Sequence, residues 1–286
     1  MKLKEKLLFL AKNRLDLNYY NISHQWLLGF IEAEGNFFGK KGQQPSFNLS
    51  QHAADKTLME AIAKFIGHGN VRVYTREDGR SEAILNIYNK TVLRDIIIPM
   101  CLNNLKTKNK SNQFYSWLNA HFDDFTPSIN SVNSPINKDW LVGFTDGDGS
   151  FYPMFHKSKD YKCGFQVQAT FDLAQLDTDK DLLNSIGLQF FNNAHKWAKS
   201  GNTQHLRILK FDTHISLVEP FFSVYALQSR KQFDFLIWQE ILQLMKNKIH
   251  LTSEGISQIR KLQSLQNILR TSLNHEIHDI LTKNLL

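Results

Sequence analysis

Apolar residues recur at helical spacing in the opening run "LKEKLLFLAKN", between lysines, and this predicts an amphipathic surface helix. A nearly continuous apolar stretch, "WLLGFIEAEGNFF" at 26–38, then reads as a buried helix that ends in Glu32, Glu34 and a glycine. The run "WLVGFTDGDGSFY" at 140–152 ends in the same way, with Asp146 and Asp148. Ser23 is a cap for the first of these helices, and Asn137 or Asp139 for the second. Alternating patterns predict strands at 36–41, 45–51, 70–76 and 81–88, with helices at 55–66, 91–102 and 111–121. "EDG" at 77–79 reads as a hairpin turn. Beyond the second buried helix, strands are expected near 150–157, 162–173, 188–197 and 203–211, and helices near 177–186, 213–225 and 230–246. A last helix, capped by Thr252 or Ser253, sets Ile256, Ile259 and Leu262 on one face.

The order of elements occurs twice because the chain repeats itself. "FNLSQHAADKTL" at 47–58 matches "FDLAQLDTDKDL" at 171–182, and "KSNQFYSW" from Lys110 matches "KQFDFLIW" from Lys231. Three matched blocks in one order, with slightly drifting spacing, indicate a duplication with loop insertions. Between the copies, "DDFTPSINSVNSPINKD" is rich in Pro, Ser and Asn and reads as a tether. The division is therefore a first half over 1–125, a linker over 126–137 and a second half over 138–286. Each half is α+β, with a four-stranded antiparallel sheet in the order αββαββα.

Composition narrows the class. At 286 residues with 42% hydrophobic and 12% aromatic content, the chain can bury a core and is not a disordered sequence. No apolar run is long enough for a membrane span, so no membrane partner is expected. The opening apolar run is too short for a secretory signal, and Glu5 argues against a transit peptide. Two cysteines, Cys101 and Cys163, exclude a disulfide framework and a cysteine zinc site. The net charge of +7 favours a polyanionic partner. Frequent Asn, Lys, Ile and Phe have AT-rich codons, in keeping with an organellar genome.

The paired acids give that partner a chemistry. Gly29 and Ala33 share one helix face, as do Gly143 and Gly147, and small residues at this spacing let two helices approach closely. Packed on these faces, the helices bring Glu34 and Asp148 to the same end. Two carboxylates there repel unless a cation neutralises them, and Mg²⁺ takes such oxygen ligands. A metal held so can activate water and stabilise the leaving oxygen of a phosphodiester.

"LLGFIEAEG" (27–35) and "LVGFTDGDG" (141–149) resemble the LAGLIDADG motif, present twice. The chain is similar to the single-chain, two-repeat LAGLIDADG homing endonucleases encoded in organellar introns, over about residues 22–270. The resemblance implies that Glu34 and Asp148 bind the catalytic metal, with the carbonyls of Ala33 and Gly147 as further ligands. It also implies active-site roles for Gln51, Gln175, Lys110 and Lys231. Mg²⁺ is the expected ion, Mn²⁺ a substitute, and Ca²⁺ one that binds without efficient cleavage. The implied fold joins the halves at the motif helices, with two sheets forming a saddle over double-stranded DNA. The implied activity cuts one phosphodiester per strand at a long asymmetric target, leaving short 3′ overhangs, and the implied state is a monomer in a mitochondrion or chloroplast. Glu in place of Asp at both acidic positions of the first motif is the main departure.

On that saddle, alternation puts Val71 and Val73 inward and Arg72, Tyr74 and Arg76 outward. Likewise Ser46, Asn48, Gln166, Gln168, Thr170, Asp172, His205 and Arg207 face outward, with Lys40, Gln44, Asn86, Tyr152 and His156 on or beside the same strands. Arg, Gln and Asn suit base edges in the major groove. Lys41, Lys157, Lys159 and Lys162, near strand ends, suit phosphates. Two rival activities share the fold: a maturase that helps its host intron RNA splice, using the basic segments 1–14 and 104–110, and a DNA binder that does not cut. "HEIH" at 275–278 reads as a surface helix, and Trp117, Trp238 and Cys101 read as core.

Overall fold

The computed structural model describes residues 1–125 and 135–283. Most of the expected linker, 126–134, lies outside the described residues. The first half runs α1 (Leu3–Asn13), α2 (His24–Glu34), β1 (Gly35–Phe38), β2 (Ser46–His52), α3 (Lys56–Ile66), β3 (Asn70–Thr75) and β4 (Ser81–Ile87). A helical run follows as α4 (Lys90–Val92), a π-helical turn (Leu93–Ile97) and α5 (Ile98–Cys101), and then α6 (Lys108–His121). The second half repeats this as α7 (Lys138–Asp148), β5 (Gly149–Lys157), β6 (Phe165–Leu176), α8 (Lys180–Phe191), β7 (His195–Ser200) and β8 (Thr203–Ile208). It continues through α9 (Phe211–Thr213), a π-helical turn (His214–Val218), α10 (Glu219–Val224) and α11 (Lys231–Lys246). Two further helices, α12 (Ser253–Thr271) and α13 (Ile277–Lys283), end the described chain.

Each half folds one antiparallel four-stranded sheet, ordered β1-β2-β4-β3 and β5-β6-β8-β7. The α+β reading and the two pseudo-symmetric halves are as the sequence predicts. The inner faces alternate: Phe47, Leu49, Ala83 and Leu85 in the first sheet, and Ala169, Phe171, Leu206 and Ile208 in the second, are buried against helices. Trp117, Trp238 and Cys101 lie in that core as expected. A second cluster joins Leu7 and Leu10 of α1 to Ile237 and Ile241 of α11, Ile259 of α12 and Leu281 of α13. Thus α1 precedes the first repeat but packs on the second.

Two expectations fail for physical reasons. The strand expected at 188–197 is helix as far as Phe191, because Leu183, Ile186 and Phe191 fall on one buried helix face. Asn192 and Asn193, both at positive φ (48° and 55°), then end the helix, and the strand starts at His195. Val73, expected inward, is 46% exposed, because β3 is an edge strand that α3 covers only in part.

Candidate active site and nucleic-acid interface

Ser23 caps α2 through a 3.1 Å bond from the Trp26 amide, and Asn137 caps α7 through a 2.8 Å bond from the Asp139 amide. The Ser23 hydroxyl also donates to Asp139 across the halves at 2.8 Å. The two helices pack directly on each other. A Cβ built on Gly29 would stand 2.0 Å from the Trp140 carbonyl oxygen, and one on Gly143 would stand 1.9 Å from that of Trp26. At Gly147 an added Cβ would meet the Cβ of Ala33 at 2.1 Å. The four small residues are therefore what allows backbone to touch backbone. Gly35 and Gly149 follow the acids because the chain turns there from helix to strand, tightly over the Ile31 and Thr145 carbonyls.

Glu34 and Asp148 end the paired helices side by side. Burial raises the Glu34 carboxyl to about 7, with Lys231 opposing the shift and Asp148 adding to it. Burial raises Asp148 to about 6, against the pull of Lys231, Lys110 and the Gln175 hydrogen bond. The Gln51 amide donates to Glu34 Oε1 at 2.8 Å, and the Gln175 amide donates to Asp148 Oδ2. Lys231 Nζ donates to the carbonyls of Asp146 (2.9 Å) and Gly147, while Lys110 Nζ donates to that of Gly35. Lys110 is buried, and desolvation lowers its pKa against the pull of Glu32, Asp148 and Glu34. The six side chains expected at the centre thus converge, three from each half.

These residues fit a hard divalent cation. The donors are carboxylate and carbonyl oxygens, and each acid resists ionising where it stands. Among the described residues no group of three or more His, Cys, Asp or Glu could hold a metal. A centre of so few protein oxygens leaves positions for water and for substrate oxygens around a hard divalent cation.

The sequence reading missed what the first acid of each motif does. Glu32 turns back to accept from the Thr107 amide (3.1 Å), the Thr107 hydroxyl (2.7 Å) and the Lys106 amide. Asp146 accepts from the amides of Gln228 (2.9 Å) and Ser229 (2.8 Å) and from the Trp26 indole (2.8 Å). Each therefore holds the turn that starts the lysine-bearing helix of its own half. A second pair crosses the halves. Asp179 accepts from the Lys108 amide at 2.6 Å, and Asp55 accepts from the Arg230 amide at 3.4 Å. Asp55 is also bonded by buried Arg14, which reaches the carbonyls of Gln228 (2.6 Å) and Ser229 (3.1 Å). The signal for all four acids was their recurrence at matched positions of the repeat.

On the open sheet face, Arg72 and Tyr74 are exposed, and Arg76 pairs with Glu82 at 2.7 Å. Lys40 and Gln44 are exposed in the β1–β2 loop, and His156 is exposed near the end of β5. Asn48 and Asn86 sit opposite each other at 3.5 Å and are half-buried, as are Gln166, Gln168 and Tyr152. Three residues expected outward are less available. Ser46 is buried where β2 begins, Thr170 is fully covered (0% exposed), and Asp172 is buried beneath its own partners. Those partners are Tyr152 (3.0 Å), His205 (3.0 Å) and Arg207 (2.8 Å).

Two repeated α+β units that share one paired-acid centre define the class of protein. Residues 27–121 and 141–242 each match the family model described as LAGLIDADG endonuclease, and the chain belongs to that family. It is 31% identical over 282 residues to "Probable intron-encoded endonuclease 3" of Neurospora crassa, covering 82% of this chain and 52% of that protein. It is 28% identical over 263 residues to a Schizosaccharomyces pombe protein named for intron 2 of cox1, covering 90% of this chain and 76% of that one. The chain thus spans about half of the Neurospora relative. A solved variant of the meganuclease I-SmaMI superposes with a TM-score of 0.70 at 25% identity, covering 85% of this chain and 97% of that one. The meganuclease I-CpaMI, solved on uncleaved DNA, shares the fold with a TM-score of 0.70 at 20% identity, over 85% of this chain and 99% of that one.

Proposed function

We propose that this protein is a homing endonuclease that cuts both strands of a long, asymmetric DNA duplex, one phosphodiester per strand. The observation that carries the reading is the seam, where Glu34 and Asp148 meet with one glutamine and one lysine from each half. A binding protein needs none of these buried charges, and burying them is costly.

Glu34 and Asp148, with the neighbouring carbonyls of Ala33 and Gly147, would hold Mg²⁺, which lowers the pKa of water and stabilises a leaving oxygen. Mn²⁺ is expected to substitute, and Ca²⁺ to support binding only. Gln51 and Gln175 fix the orientation of the acids through the hydrogen bonds that their side-chain amides donate. Lys110 and Lys231 hold positive charge beside the acids, where negative charge builds on the scissile phosphate.

The two sheets would track the grooves. Exposed Lys40, Arg72 and His156 suit the backbone or groove walls, and half-buried Asn and Gln suit base edges. Two repeats in one chain supply two half-sites without a partner, so the active form is a monomer with residues 126–137 as its tether. The Schizosaccharomyces pombe relative named for a cox1 intron supports a mitochondrial location.

The test is a selection for cut molecules from a randomised duplex pool with Mg²⁺, Mn²⁺ or Ca²⁺. One cut sequence under Mg²⁺ and Mn²⁺, and binding alone under Ca²⁺, is expected. Binding without cutting under every ion rejects the reading and turns attention to splicing of a host intron RNA.

A further inference from the structure

The strand registers align one row of side chains across each open sheet face, and the two rows differ in kind. In the first half Asn36 pairs with Asn48, Asn48 with Asn86 and Asn86 with Asn70, so four asparagines cross the sheet in line. In the second half the matching row is Ser150, Asp172, Arg207 and Lys196. Asn48 and Asp172 stand at matched places, each three positions before the glutamine that binds its acid. At the rise of a strand, Asn48 and Asp172 stand about 10 Å along their strands from those glutamines.

We propose that these rows read the two inner half-sites with opposite preferences, adenine under the first and guanine under the second. The inference rests on the endonuclease reading and adds the base preference. Asparagine amides match the paired donor and acceptor of adenine, and an arginine fork matches the two acceptors of guanine. The first row carries no charge, and its two inner members already share a 3.5 Å bond.

The second row is built around one arginine. Asp172 accepts from Arg207 Nε at 2.8 Å, and among the described residues the hydrogen bonds of Arg207 run through Nε. That bond fixes the guanidinium plane and leaves its two amino groups for a base. Asp172 is itself held by the Tyr152 hydroxyl at 3.0 Å and by His205 Nδ1 at 3.0 Å. A buried carboxylate with three partners acts as a positioning residue and not as a base contact. Lys196, exposed on the edge strand beside Arg207, adds positive charge that favours the guanine acceptors. An arginine already held in place loses less freedom on binding, which sharpens discrimination.

The experiment is a base-by-base binding profile in Ca²⁺ on the duplex recovered by selection. It compares the wild type with Arg207→Gln, Asp172→Asn and Asn86→Ala. The wild type should prefer guanine at one inner position of the second half-site by about tenfold or more over other bases. Arg207→Gln should turn that preference toward adenine, an exchange that a merely structural role for Arg207 does not produce. Asp172→Asn should weaken the guanine preference while Arg207 remains, and Asn86→Ala should flatten only the adenine preference in the first half-site. A specific target with the same base at both matched positions overturns the inference and leaves the endonuclease reading standing, as does a guanine preference that survives Arg207→Gln. Recovery of no specific target overturns both.

Discussion

Replacing Gly143 with alanine tests how the seam holds the two acids. The new methyl would stand 1.9 Å from the Trp26 carbonyl oxygen and 2.9 Å from the Phe30 amide nitrogen. An ordinary carbon–oxygen approach is about 3.3 Å, so α2 and α7 must separate by roughly 1.4 Å. Both opposing atoms are backbone, so no side chain can rotate away. Overpacking of this kind costs about 1 to 3 kcal/mol, and the upper end applies here. Alanine returns up to about 1 kcal/mol as a better helix former than glycine. The net loss is then about 2 to 3 kcal/mol. Activity should fall further than stability, because Glu34 and Asp148 ride on the separated helices. A displacement of about 1 Å at a reacting centre costs about a hundredfold in rate. Denaturant unfolding gives the first quantity and single-turnover cleavage the second. A related exchange serves as control: Gly147→Ala alone should be impaired, and Ala33→Gly added to it should recover function, since the clash is methyl on methyl. Wild-type stability and rate in Gly143→Ala would refute the close-packed seam.

Other outcomes follow from single contacts. The Trp26 indole donates to Asp146 at 2.8 Å, whereas the matching Trp140 indole is buried without a partner among the described residues. Trp26→Phe should therefore cost about 1 to 2 kcal/mol more than Trp140→Phe in urea unfolding, and equal losses would count against the asymmetry. Burial lowers the His214 imidazole to about 4, and its Nε2–H donates to the Ala169 carbonyl at 2.8 Å. The unfolded chain takes up that proton first, so the stabilisation is present above about pH 6.5 and is lost as pH falls toward 4, by up to about 3 kcal/mol. His214→Gln should remove that part of the acid slope; stability curves parallel to the wild type would contradict it. Arg14 and Asp55 form a buried pair within the first half, so Arg14→Met should cost about 3 kcal/mol or more, and Arg14→Met with Asp55→Asn should recover much of it. An additive double variant would show that the pair is not coupled.

Periodicity and caps were enough for most elements, because both are local. Ser23, Asn137 and Thr252 cap their helices with their own side chains, as the residue types at those places indicate. The small residues at 29, 33, 143 and 147 were legible for the same reason, since helix geometry alone puts each pair on one face. The failure at 188–197 was also local: "LQFF" suits a buried strand as well as a helix, and the paired asparagines that end the helix are a weak stop signal. What no local pattern carries is the partner. Glu32 finds Thr107 and Asp146 finds Ser229 only after the halves fold, and Asp55 and Asp179 reach across the seam. Register is hidden in the same way. Alternation indicates which face a residue takes, but only pairing across strands lines up the four asparagines or sets Arg207 beside Asp172.

The most direct measurement is strand-resolved cleavage of the selected duplex in Mg²⁺ by the wild type, Glu34→Gln and Asp148→Asn, with binding in Ca²⁺ read in parallel. The account predicts that the wild type cuts both strands and that either substitution abolishes the double-strand cut while the variants still bind. Double-strand cutting at the wild-type rate by either variant would contradict a shared two-acid centre at the seam.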